Sequence, residues 1–145
     1  KTDYKLSHFS FVEHIYHIDE VPADVTFDHA FECVGGKGSQ SAVNQIIDLV
    51  SPEGTISLLG VSEYPIEVNT RLVLEKGLTM FGSSRSGVQD FREVAEFYKN
   101  NSDVVEKLAL LKGNEFDVKT INDAVNAFET DLSTSWGKTV IKWTM

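Results

Sequence analysis

One stretch, residues 27–61, constrains the fold more than any other. A mostly apolar run over 27–34, with Asp28 and His29 near its start and Glu32 inside, stops at Gly35-Gly36-Lys37-Gly38. Ser39 then opens a segment carrying Ala42, Val43, Ile46, Ile47 and Val50 at helical spacing. Ser51-Pro52-Glu53-Gly54 breaks it, and a second apolar run follows over 55–61. Short apolar runs bounded by turn residues read as buried strands, and an amphipathic helix between two of them is how parallel neighbours are joined. The pattern predicts an α/β domain with a parallel sheet. Such sheets bind ligands beyond the carboxyl ends of their strands. The candidate binding loops are therefore 35–39, 60–63 and 82–87, each containing Gly and Ser.

The flanks extend the pattern. Asp3 is placed to cap a short helix with Leu6, Phe9 and Val12 on one side, and residues 14–18 read as a short strand. Asn69 caps a helix with Leu72 and Val73 inward, and Gly77 stands where a left-handed C-cap belongs. Residues 78–81 form a third short strand. Val88, Phe91, Val94, Ala95 and Tyr98 line the next helix, and Asp103 opens another that ends at Gly113. Thr120 and Asp123 resemble a capping box for a helix with Ile121, Ala124, Val125 and Phe128 inward, and residues 139–143 form a last strand.

Composition narrows the function classes. The 145 residues suit one domain, and 22 acidic against 13 basic residues give a net charge of -9. That balance argues against nucleic acid, whose binders need a basic face. No apolar run is long enough to span a bilayer, and no signal peptide is visible. The single cysteine, Cys33, allows no internal disulfide and suits a reducing cytoplasm.

Local motifs reach less far. Gly36-Lys37-Gly38-Ser39-Gln40-Ser41 nearly matches the dinucleotide fingerprint, with Ser41 where Gly or Ala belongs; on this segment alone a tight turn with an N-cap is the favoured reading. A phosphate loop is excluded because Gly38 follows Lys37. His14 and His17 lack a third metal ligand nearby, and Cys33, without a basic neighbour, reads as a core thiol. Glu32 inside an apolar strand needs a partner or a ligand, unless its tip reaches solvent. Asp28, His29 and Ser133 have no nucleophile elbow to make them a hydrolase triad.

The segments FECVGG, SPEGTISLLGV, NTRLVLEKGLTMFGSSRSG and WGKTVIKW, in that order, resemble the medium-chain dehydrogenase/reductase family of zinc-dependent alcohol and polyol dehydrogenases. Residues 28–87 are most similar to its ribulose-5-phosphate reductase branch, also called ribitol-5-phosphate dehydrogenases. The resemblance implies a Rossmann-type doubly wound parallel sheet, incomplete because the first two strands would precede Lys1. Residues 1–145 would then be a partial NAD(P)-binding domain with a C-terminal return strand, without the catalytic zinc domain. The strand over 14–18 would be the third of the sheet and lack its neighbour. The fragment itself would be inactive.

The resemblance also implies roles. Val34 and Gly35 would pass the adenosine ribose. Leu59, Gly60 and Val61, with Ser83, Ser84 and Arg85, would hold the nicotinamide amide through backbone groups. Lys138 would contact the pyrophosphate. Lys1, Thr2, Tyr4 and Lys5 would select the cofactor, and their cationic and hydroxyl groups favour the 2′-phosphate of NADP. The glycine-rich segment 36–41 would be a decoy, because the true fingerprint follows the first strand. The parent would reduce ribulose 5-phosphate with NADPH and zinc, for CDP-ribitol and teichoic acid or capsule. A cytidylyltransferase would be a possible partner, and residues 78–81, from Leu78 to Phe81, the homodimer strand. A sorbitol- or threonine-dehydrogenase-like enzyme, or a non-catalytic nucleotide-binding or assembly module, stands as the alternative.

Overall fold

The computed structural model describes residues 2–133 and 136–143. The chain divides into two compact units, one of residues 18–86 and one of residues 1–17 with 87–145.

The first unit contains β1 (Phe27–Glu32), α2 (Ser39–Leu49), β2 (Val50–Leu58), α3 (Thr70–Lys76) and β3 (Thr79–Gly82). The strands form one parallel sheet in the order β1-β2-β3. Its register sets Ala30 against Ile56 and Ile56 against Met80, which places all three on one face. Val43 and Ile47 of α2 close over that face with Val50 and Ile56, and Leu72 and Val73 of α3 complete the cluster. Each fully buried aliphatic side chain contributes about 1.5–3 kcal/mol. The caps form where the side-chain chemistry placed them. Asn69 Oδ1 accepts from the Leu72 N–H at 3.1 Å, and Gly77 adopts φ 63°.

The second unit contains α1 (Thr2–Leu6), α4 (Val88–Asn100), α5 (Ser102–Ala109), β4 (Lys112–Val118), α6 (Ile121–Ser133) and β5 (Lys138–Trp143). Its two strands pair in parallel, and α6 packs on both. The capping box of α6 is present: Asp123 N–H donates to Thr120 Oγ1, and Asp123 Oδ2 accepts from the Thr120 N–H. The Lys119 N–H donates to the same carboxylate and, with the Thr120 bonds, holds the Asp123 carboxyl below its ordinary value. On the sheet, Glu115 bonds both Lys112 and Lys142, and these bonds pull its carboxyl down to about 2. The turn after α1 is anchored by His8, which stacks on Trp136 with ring centroids 4.1 Å apart.

Several expectations are corrected. Residues 14–17 form no strand, and 18–20 make a 3-10 turn. A strand exists only as a paired object, and among the described residues β1 is hydrogen-bonded to β2 alone. The first helix ends at Leu6 and tightens into a 3-10 turn over Ser7–Phe9; Asp3 lies inside it rather than at its cap. The break at 51–54 is a bulge within β2, between the pairs Phe27–Val50 and His29–Thr55, and Glu53 takes φ 63° there. β1 is not buried on both faces. α2 and α3 cover only the Ala30–Ile56–Met80 face, and Phe31 on the other is 68% exposed. Gly113, expected to end a helix, lies instead within β4, Lys112–Val118.

Candidate functional site

β1, β2 and β3 are parallel, so their carboxyl ends lie at one edge of the sheet. The chain leaves that edge through the expected loops. Gly35 follows β1 in a left-handed conformation (φ 63°), and a Cβ there would stand 3.0 Å from the Val61 carbonyl oxygen. A side chain at this position would therefore meet both backbone strain and the neighbouring loop.

Glu32 ends β1 and is 1% exposed. Its carboxylate does not reach solvent. Oε1 accepts from the N–H groups of Val34 (2.7 Å) and Gly35 (3.1 Å), and Oε2 accepts from Gly60 (3.1 Å). The Glu32 main-chain oxygen accepts from both Leu59 and Gly60 at 2.9 Å. The Gly36 N–H donates to the Val61 oxygen at 2.8 Å, and the Ser83 N–H to the Leu58 oxygen at 3.3 Å. These bonds draw Val34, Gly35, Leu59, Gly60, Val61 and Ser83 into one edge, with Ser84 and Arg85 following in the exposed loop after β3. The apolar residues among them face outward: Val34 is 63% and Val61 78% exposed.

The loop after β2 is held from α2. Asn44 Oδ1 accepts from the Asn69 N–H, its Nδ2 donates to the Glu67 oxygen, and Gln40 Oε1 accepts from the Glu67 N–H. Between the β1 and β2 loops lies a hollow of about 140 Å³, lined by Gly36, Lys37, Gln40, Tyr64, Pro65 and Ile66. Ligand pockets usually measure about 300–1,000 Å³, so an extended ligand would lie across the open strand ends rather than inside this hollow.

The remaining candidates lie in the other unit. Tyr4 and Lys5 are on α1 and exposed; Thr2 begins that helix; Lys1 lies outside the described residues. Lys138 begins β5, exposed, with its N–H donated to the Leu111 oxygen. Cys33 is exposed rather than in the core, because Glu32 turns inward and the next residue points the opposite way. His29 Nδ1 is bonded to Thr55 Oγ1. Ser133 Oγ donates to the Thr130 oxygen. Among the described residues no three His, Cys, Asp or Glu side chains gather to hold a metal. The donor set therefore does not fit a zinc ion.

Sequence reasoning missed the helix side chains that fix the loop after β2. Gln40 and Asn44, four apart on α2, carried the signal of two amides on one helix face beside a glycine-rich turn.

Known proteins align with this arrangement. Over all 145 residues the chain is 69% identical to ribulose-5-phosphate reductase 1 of Staphylococcus aureus, of which it covers 42%. It is 57% identical over 143 residues to ribulose-5-phosphate reductase of Bacillus spizizenii, again covering 42%. The chain thus spans less than half the length of these curated relatives. The crystal structure of S. aureus TarJ in complex with NADPH superposes with a TM-score of 0.96 at 69% identity, over 100% of this chain and 46% of TarJ. L-idonate 5-dehydrogenase of Escherichia coli shares the fold at 22% identity, with a TM-score of 0.62 over 81% of this chain and 31% of its own. Residues 10–100 match the family model of zinc-binding dehydrogenases, and with more than half of its length under that model the chain belongs to the zinc-binding dehydrogenase family.

Proposed function

We propose that the chain is the NADPH-binding part of a reductase that interconverts ribulose 5-phosphate and ribitol 5-phosphate. The observation that carries this reading is 69% identity along the whole chain to a ribulose-5-phosphate reductase. The chemistry of the strand ends fits the cofactor. Exposed Val34, Leu59 and Val61 offer apolar surface to a ring. The carbonyl oxygens of Leu59 and Gly60 can accept from a carboxamide, and Ser83, Ser84 and Arg85 supply polar and cationic groups. Lys138 serves the pyrophosphate, while Lys1, Thr2, Tyr4 and Lys5 serve the 2′-phosphate. When bound, NADPH supplies the hydride. The residues of this chain bind and orient it, and no step through a metal is assigned to them.

The sugar phosphate is the substrate of the whole protein, with its product passing to a cytidylyltransferase for CDP-ribitol. β3 is an edge strand with Phe81 51% exposed, which suits edge pairing with a second copy.

The full-length protein tests the reading. It is expected to consume NADPH with ribulose 5-phosphate, to prefer NADPH to NADH, and to be inert toward sorbitol and threonine. Absence of ribulose 5-phosphate reduction, or turnover of sorbitol or threonine in its place, would overturn it. Residues 1–145 alone are expected to give no turnover.

A further inference from the structure

Glu32 joins the loops after β1 and β2 through one buried carboxylate. Three backbone N–H groups converge on its two oxygens at 2.7 to 3.1 Å, two from the first loop and one from the second. An ionised carboxylate taken out of water needs such compensation, and charge-assisted bonds from N–H groups provide it. The fit leaves little room. A Cβ on Gly60 would lie 2.5 Å from Glu32 Oε2 and 2.5 Å from the Gly35 nitrogen.

We propose that Glu32 is a positioning residue of the cofactor site. Its carboxylate sets the separation of the β1 and β2 loops. It also occupies the N–H groups of Val34, Gly35 and Gly60, so that the loops present carbonyl oxygens and apolar side chains to the nicotinamide cofactor. The proposal rests on the reading that these loops take NADPH. Two features distinguish the clamp from ordinary core packing. It lies beyond the apolar cluster of Val43, Ile47, Val50 and Ile56, at the strand ends. And each of its bonds reaches loop backbone, where displacements of an ångström in a positioning element cost function steeply.

Gln cannot replace the carboxylate. It keeps one acceptor and turns the other oxygen into a donor, which would face either Gly60 or the Val34–Gly35 pair. In the full-length protein, Glu32→Gln is expected to raise the dissociation constant and KM for NADPH about ten-fold or more. The kcat at saturating NADPH should stay within about three-fold. Deuterium exchange should rise in segments 33–36 and 59–61 while the β2 segment 55–58 stays protected. Gly60→Ala keeps the carboxylate but sets a methyl against it, and should likewise weaken NADPH binding and raise exchange in segments 33–36 and 59–61.

If wild-type protein does not bind NADPH, the functional reading and this inference fall together. If wild type binds and both variants bind as tightly, although their loops exchange faster, the inference alone falls. It falls too if affinity drops with no change in exchange, or if segment 55–58 loses protection, which would make Glu32 a residue of fold stability.

Discussion

Lys76 closes α2 from outside the helix, and removing its amine should loosen the unit of residues 18–86. Its Nζ donates to the carbonyl oxygens of Ile47 (2.9 Å), Asp48 (2.7 Å) and Val50 (2.8 Å). These lie where a helix leaves carbonyls without intrahelical partners and where a cation is favoured. In Lys76→Met the Asp48 oxygen, on an exposed residue, can take water. Ile47 and Val50 are 0% and 1% exposed, and their oxygens are harder to rehydrate. Two buried acceptors left unsatisfied cost about 1 kcal/mol each, and loss of the charge at the helix end adds about 0.5 kcal/mol. The expected destabilisation is therefore about 2–3 kcal/mol, or a Tm lowered by about 5–10 °C for a chain of this size. Urea unfolding followed by circular dichroism measures it, with amide exchange over 46–58 assigning the transition to this unit. A loss below about 0.5 kcal/mol, the range of an ordinary surface substitution, would refute the reasoning.

Three further outcomes follow from named contacts. Asn69→Ala should cost about 1 kcal/mol by removing the acceptor of the Leu72 N–H, with Asn69→Asp recovering most of it, measured by denaturant midpoint. Arg85 holds φ 68° in an exposed loop, so Arg85→Gly should leave stability unchanged or raise it by up to about 1 kcal/mol while weakening NADPH binding in the full-length protein; equal NADPH affinity would remove Arg85 from the site. The Glu115 carboxyl falls from 4.5 to about 2 on folding, because Lys112 and Lys142 bond its ionised form. A lowered acid stabilises the fold above its unfolded value and loses that contribution as pH falls through the folded one. Glu115→Gln should therefore be less stable than wild type at neutral pH, with the difference closing between about pH 4.5 and 2; a gap independent of pH would contradict the assignment.

Local chemistry was legible in the sequence where its partners are close in the chain. Asn69 with Leu72, Gly77 at its C-cap and Thr120 with Asp123 all formed, since each cap depends on atoms three or four residues apart. Pairing was legible only in part. Residues 27–58 yielded a β-α-β unit because both strands and their crossover lie in one run. Residues 14–17 have a strand-like pattern but belong to none of the described strands, so the pattern came to nothing. β4 hid for the opposite reason. Glu115, Phe116, Asp117 and Val118 alternate as a strand should, but Lys112, Gly113 and Asn114 ahead of them read as a helix end. Gly113 is tolerated there because Gly137 and Trp136 press close enough that a Cβ would lie 2.9 Å from the Trp136 oxygen.

Glu32 marks the limit of sequence reading most clearly. An acid in an apolar strand announces that something must compensate it, and proximity in sequence suggests solvent at the strand end. The compensation is split instead: two donors come from two and three residues ahead, and the third from Gly60, 28 residues away. The first two could have been anticipated as a local turn around the carboxylate. The third depends on β2 running parallel to β1 in a register that sets Glu32 against Leu58, so that the chain after β2 passes beside the carboxylate. It depends equally on position 60 being glycine, since any side chain would occupy the space the carboxylate fills. The residue types at 32, 35 and 60 are thus one requirement written at three separated places, and only the parallel register of the sheet brings them together.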